Sequence, residues 1–162
     1  MKLAWILVAL LTVLVWEYLP ALHGRFVYED YRSVDACAAT GLEGRLGTRA
    51  LWCWQVRGQQ PMWAFHALNL GMHLVVVALA GALAWTLTRQ TAPAMLAAAF
   101  FGVNAVHVEA VAYLSSRGEI LAAIGVLGAC LAALHRRWVL APLCVALGWS
   151  GKESAAVALL LV

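Results

Sequence analysis

The sequence predicts an all-α protein: a polytopic bundle of about five to six transmembrane helices, forming one domain over residues 1–162. Three observations carry this expectation. Of the 162 residues, 64% are hydrophobic and only 12% charged, where soluble domains carry roughly 25% charged residues. Mean hydropathy is +0.83. The apolar residues also fall into runs approaching the roughly 20 residues that one bilayer crossing requires, parted by short polar turns.

The first run follows Met1-Lys2 and extends apolar from Leu3 to Trp16. It has the look of a signal peptide, but no small-x-small cleavage site follows. Trp16-Glu17-Tyr18-Leu19-Pro20 reads instead as an interfacial aromatic belt. The expectation is an uncleaved first span, Leu3 to Leu19. A polar loop then runs from Pro20 to Pro61, with five arginines, four acids and Trp52 and Trp54. The second span covers Trp63 to Leu87. Arg89-Gln90 turn the chain, and Pro93 suits the first turn of a third helix. That helix is apolar from Ala94 to Val103 and turns polar at Asn104, His107 and Glu109. Ser115-Ser116-Arg117-Gly118-Glu119 form the next turn, and Ile120 to Leu134 the fourth span. His135-Arg136-Arg137 precede a short fifth run, Trp138 to Trp149. Ser150-Gly151-Lys152-Glu153 lead into a sixth, which stops at Val162 after nine residues. Nine residues are too few for a crossing, so the expectation is a chain truncated within its sixth helix. Small residues (Gly71, Ala78, Gly81, Gly102, Gly125, Gly128) permit close approach of membrane helices.

Composition narrows the function classes. No basic tract is interleaved with aromatics, which argues against nucleic acid as a partner. Cys37, Cys53, Cys130 and Cys144 form no CxxC pair, and no metal site or other cofactor is expected. Cys130 and Cys144 lie in apolar runs as packing residues. Cys37 and Cys53 share the polar loop, where a disulfide forms if the loop faces an oxidising compartment.

Alternating the spans from a cytoplasmic N-terminus leaves Lys2, Arg89, Arg136 and Arg137 inside. All eight acids fall outside: Glu17, Glu29, Asp30, Asp35, Glu43, Glu109, Glu119 and Glu153. Seven basic residues fall outside too, so a bare Lys/Arg count does not satisfy the positive-inside rule. The short loops favour this orientation apart from Arg117 and Lys152. It gathers the polar residues at one face, and polar residues within or beside spans default to functional hypotheses.

Glu29 and Asp30 are adjacent carboxylates that suit a general base acting on an acceptor hydroxyl; an ordinary solvated acidic pair has the same sequence. His66, Asn69 and His73, at i, i+3 and i+7, line one helix face directed into the bundle, as an interhelical hydrogen-bond seam or as part of a site. His107 and Glu109 could position an acceptor. Arg117 and Lys152 are cations suited to a phosphate at the outer interface, with Glu153 beside them. The alternative is an ion-pair network, Arg117 with Glu109 or Glu119 and Lys152 with Glu153.

These segments resemble a known family. Phe26-Val27-Tyr28-Glu29-Asp30 resembles the "FVYDD" segment in the first outer loop of GT-C type membrane glycosyltransferases, in particular the transmembrane and tetratricopeptide-repeat O-mannosyltransferases and their bacterial homologues. Phe65-His66-Ala67-Leu68-Asn69 through His73 resembles their "YHLVNLLLH" helix. Asn104 through Leu121 resembles "HPVHTEAVAYISGRADLL", and Gly151-Lys152-Glu153-Ser154 resembles "SKE" plus a small residue. The matches keep their order and spacing over nearly the whole chain. Three departures stand out: the pair is Glu-Asp rather than Asp-Asp, Asn104-Ala105 replaces His-Pro, and Thr48-Arg49-Ala50-Leu51 lacks the proline of "YRPL". Family members are several times longer, so the resemblance implies the N-terminal part of a GT-C module.

The resemblance implies inverting transfer of a sugar, such as mannose, from a polyprenyl- or dolichyl-phosphate donor to a hydroxyl of a protein or glycan acceptor. In that scheme Glu29 or Asp30 is the base, Arg117 and Lys152 (with Glu153) hold the lipid phosphate, and His66, Asn69, His73, His107 and Glu109 shape the acceptor site. The protein would lie in the bacterial inner membrane or the endoplasmic reticulum, with its active face periplasmic or lumenal. A second expectation is a non-catalytic truncated homologue that binds a lipid phosphate or serves as a subunit. A transporter using His66 and His73 as a proton relay ranks last.

Overall fold

The computed structural model of the protein describes residues 2–38 and 45–162, with the side chains of residues 8–37 and 45–162. Glu43, expected on the outer face, lies outside the described residues. Those residues are mostly helical, without a strand. The α-helices are α1 (Lys2–Tyr18), α2 (Tyr28–Ala38), α3 (Leu46–Arg57), α4 (Met62–Thr88), α5 (Thr91–Gly102), α6 (Val108–Ala112), α7 (Arg117–Leu134), α8 (Leu140–Gly151) and α9 (Ala158–Leu161). Single 3-10 turns cover Leu19–His23, Ala105–His107, Leu114–Ser116 and Glu153–Val157.

Two helices are long and apolar enough to cross a membrane, Met62–Thr88 and Leu114–Leu134. A third crossing results if Thr91–Gly102 and Ala105–Ala112, which meet at a 49° bend, act as one span. Only 22% of the apolar window of α4 is buried inside the molecule, so most of its hydrophobic surface faces outward. Leu96, Phe100, Leu143 and Leu160 are likewise exposed. Outward apolar surface on this scale is suited to lipid or a protein partner rather than water. Two further expected runs are helices of about the expected length, α1 over Lys2–Tyr18 and α8 over Leu140–Gly151. Val8–His23 and Leu140–Gly151 are apolar helices below spanning length over the described side chains.

Local chemistry accounts for the helix ends. Pro93 sits in the first turn of α5, where its missing N–H costs no intrahelical bond. α4 stops at Arg89, which takes the left-handed conformation (φ 56°) and lays its guanidinium over the Trp85 ring at 5.3 Å. α7 ends in the same way next to Arg136 (φ 55°).

The most extensive helix contact joins α7 to α8, and it is a seam of small residues. A Cβ on Gly118 would come within 2.6 Å of the Gly151 carbonyl oxygen, and one on Gly125 would overlap the Gly148 backbone. Helices approach this closely only where side chains are absent.

The segment from Pro20 to Pro61 departs from the loop expected. It folds into a 3-10 turn and the helices α2 and α3. On α2, Asp30 and Cys37 are buried and Val34 partly so; on α3, Trp52 and Gln55 are buried and Thr48 partly so. Spacings of i, i+4, i+7 put each set on one helix face. A disulfide between Cys37 and Cys53 ties the two helices together, with Cα atoms 5.1 Å apart.

Candidate functional site

Among the described residues the buried polar side chains are Asp30, Gln55, His66, Asn69, His73 and Arg117. They come from α2, α3, the first half of α4 and the start of α7. The remainder of the core, built on residues such as Val76, Val77, Ala98, Ala129 and Val145, is apolar. The polar chemistry therefore sits at one end of the bundle.

Asp30 is 1% exposed. Its Oδ2 accepts the Val27 N–H at 3.0 Å and its Oδ1 accepts the Ser115 hydroxyl at 2.6 Å. Val27 is the residue before α2 and Asp30 the third within it, so the first bond is the return half of a capping box. The second ties α2 to the turn ahead of α7. Asp30 thereby fixes where α2 starts and how it docks.

Arg117 is fully buried. Its Nε donates to Asn69 Oδ1 at 2.8 Å, its Nη2 donates to the Phe65 carbonyl at 3.2 Å, and its guanidinium lies over the Trp52 ring at 5.0 Å. It was expected to hold a lipid phosphate at the outer interface. The structure places it in the interior instead, because Asn69 and Phe65 on α4 supply acceptors that let α7 begin beneath α3. The expected pairing with Glu109 or Glu119 is absent among the described residues. Asn69 also donates toward the Ala110 and Val111 carbonyls at 3.5 and 3.4 Å, which links α4 to α6.

His66 is 1% exposed and packs against Gly24, where a Cβ would come within 2.8 Å of the ring. Among the described residues neither its ring nitrogens nor Arg117 Nη1 nor Trp52 Nε1 makes a hydrogen bond of normal geometry. Buried polar groups without partners are few in folded proteins, and each asks for an explanation. His73 lies two turns further along the same face. Its Nε2 is 3.3 Å from the Gly102 carbonyl, which also accepts from Tyr18 Oη at 3.2 Å. His107 stacks on Phe101 (ring centroids 4.1 Å) and approaches His73 (5.6 Å). Glu109 is exposed and does not join this group.

Two ion pairs close the far side. Lys152 pairs with Glu119, and Glu153 with Arg45, whose Nη2 donates to Oε2 at 2.7 Å and whose Nε donates to Oε1 at 3.2 Å. The expected Lys152–Glu153 pair is replaced by these two. The Arg45 bond is the main cause holding the Glu153 carboxyl below its ordinary value of 4.5.

Between α2 and α3 lies a cavity of about 490 Å³. Glu29, Arg32, Ser33 and Ala36 line it from α2, and Arg45, Thr48, Arg49 and Trp52 from the α3 side. Arg32 contacts Glu29 at 3.6 Å with both side chains exposed, while Arg49 Nη2 donates to the Ala36 carbonyl at 2.7 Å. Trp52 is thus the wall between this cavity and buried Arg117. Sequence alone assigns no site role to Arg32, Arg45, Arg49 or Ser115. A signal was present: residues 29, 32, 33, 36 and residues 45, 48, 49, 52 each repeat at i, i+3, i+4, i+7, the mark of one helix face. Among the described residues no group of three or more His, Cys, Asp or Glu side chains is gathered to hold a metal ion.

No family model, curated protein or solved structure matches this chain.

Proposed function

We propose that the protein is a GT-C type membrane glycosyltransferase, with Glu29 as its catalytic base. It is multi-pass in the bacterial inner membrane or endoplasmic reticulum, with the α2–α3 end on the periplasmic or lumenal side. One observation carries the choice of base. Of two adjacent carboxylates, Asp30 is buried and committed to Val27 and Ser115, whereas Glu29 is partly exposed and lines the cavity. Asp30 has a structural duty and Glu29 has access to a ligand. The ordered motifs of the sequence supply the reaction class, and the Cys37–Cys53 disulfide supports an oxidising location for that end.

In this reading the acceptor hydroxyl lies in the cavity. Glu29 takes its proton as the oxygen attacks the anomeric carbon of a polyprenyl- or dolichyl-phosphate sugar. The carbon–oxygen bond to phosphate breaks with inversion, and the lipid phosphate leaves with the electron pair. With Arg117 interior, Lys152 is the cation of the original set that remains partly exposed for that phosphate.

The test is transfer by the full chain reconstituted in lipid, with mannose on a polyprenyl phosphate as donor. Glu29→Gln lowers transfer by about 10²-fold or more, the scale of a lost general base, with folding unchanged. Asp30→Asn acts through stability instead. Full activity in Glu29→Gln overturns the assignment. Carrier binding without any transfer describes a lipid-phosphate-binding subunit instead.

A further inference from the structure

The end of the bundle opposite Asp30 and Arg117 carries cations without acids. Arg117, at the start of α7, is bonded to Asn69 and Phe65 in the first half of α4, so the two spans begin at the same end. Where they finish lie Arg89, Arg136 and Arg137. The sequence has no Asp or Glu in residues 62–108 or 120–152. Among the described residues none of these three arginines is in an ion pair. In the orientation proposed above this end faces the cytoplasm, and the cytoplasmic leaflet is the one that carries anionic lipid.

An apolar groove of about 280 Å³ opens beside Arg89, between α4 and α5. Ala78, Ala82 and Trp85 line it from α4 and Met95 from α5. Its floor is made of small residues: a Cβ on Gly81 would lie 3.2 Å from the Ala98 Cβ. Ala78, Ala82 and Trp85 are exposed, so the groove opens outward, and Ala78 to Trp85 covers about 10 Å of helix. At its mouth the left-handed turn at Arg89 lays the guanidinium 5.3 Å over the Trp85 ring. α4 has 27 residues, about 40 Å of helix, against a hydrocarbon core of about 30 Å. With α4 across a bilayer, Trp85 and Arg89 stand at headgroup depth, where tryptophan is favoured, and Ala78 stands among the acyl chains. We infer that the groove holds one anionic phospholipid, with an acyl chain along Ala78, Ala82 and Met95 and its phosphate on Arg89. Charge decides the occupant. An apolar helix of a second copy fills the groove but offers nothing to the guanidinium. A zwitterionic headgroup brings an ammonium group, and neither segment has a carboxylate to receive it. The inference needs α4 to span a membrane and is independent of Glu29 being a base.

The experiment reconstitutes the full chain in phosphatidylcholine vesicles. Each preparation carries a trace of lipid with a diazirine on its acyl chain and either a phosphatidylglycerol or a phosphatidylcholine headgroup. After illumination, mass spectrometry locates the labelled residues. Phosphatidylglycerol labels residues 78–98 about fivefold more than phosphatidylcholine does, the scale of one interfacial cation. Arg89→Gln, a change at an exposed position, brings the two lipids to parity, and Arg89→Lys keeps most of the preference. Ala82→Leu, also at an exposed position, fills the groove and lowers labelling there by both lipids, while labelling of α1 stays as in the native chain. Equal labelling by the two headgroups in the native chain overturns the inference, since any lipid beside a span gives that result. A preference that survives Arg89→Gln, or labelling undiminished in Ala82→Leu, overturns it as well. So do crosslinks between copies through residues 78–98 in place of lipid labels, which describe a helix–helix interface.

Discussion

Two faces of α7 are held by opposite means. Its first turn carries Arg117, fixed by directional bonds to Asn69 and Phe65 and by the Trp52 ring. On the other face, Gly125, about two turns further on, is held by shape alone, its backbone against that of Gly148. A bonded end has a required chemistry at every contact. A seam requires only that nothing protrude. The first fixes the arrangement of α2, α3 and α4 around the cavity, and the second sets how closely α8 lies on α7.

Arg117→Ala is the strongest way to probe that difference. It removes two buried hydrogen bonds, leaves Asn69 Oδ1 without its donor and withdraws a cation that interacts electrostatically with Asp30; a loss of about 3–5 kcal/mol follows, as for breaking a buried charged network. Chemical unfolding in detergent, followed by tryptophan fluorescence, measures it. Gly125→Ala inserts one methyl into a filled seam and costs about 1–3 kcal/mol, read in the same assay. If the two losses are equal, the seam is as demanding as the network and the contrast collapses. Ser115→Ala sharpens the polar side. It strips one donor from buried Asp30, costs about 1–2 kcal/mol, and loosens the start of α2 in hydrogen exchange while leaving the α7–α8 seam protected.

The smallest effect lies at the rim. Glu153 has a folded-state value held below 4.5, chiefly by the Arg45 hydrogen bond. Its contribution is therefore fully present above 4.5 and is lost as pH falls below that toward the lowered folded value. Glu153→Gln removes this slope, so the difference between native and variant stability is flat above about pH 5 and narrows below it. Both groups are exposed, so the change is small.

The same contrast explains what the sequence revealed. His66, Asn69 and His73 were assigned to one inward face from spacing alone, and all three are buried. The second span was expected over Trp63 to Leu87, against Met62–Thr88 observed. A continuous apolar run determines a helix with little help from tertiary structure. α2 and α3 were read as loop because their charges and glycines mask a narrow buried face, which becomes a face only when packed on α4 and α7. The candidate carboxylates were legible as a pair. Their different duties were not, since Asp30 becomes structural through Ser115, a partner 85 positions away. Arg117 was legible as important and misplaced in depth: a cation beside a span reads as interfacial until its acceptors are known.

The bridge between Cys37 and Cys53 has a consequence for how the molecule is made. It closes a sequence separation of 16 residues and joins the two walls of the cavity, and such a bond forms only where thiols are oxidised. A chain held in a reducing compartment lacks this tie between α2 and α3. In the orientation proposed above, delivery of the α2–α3 end across the bilayer is also the step at which its two helices become tied.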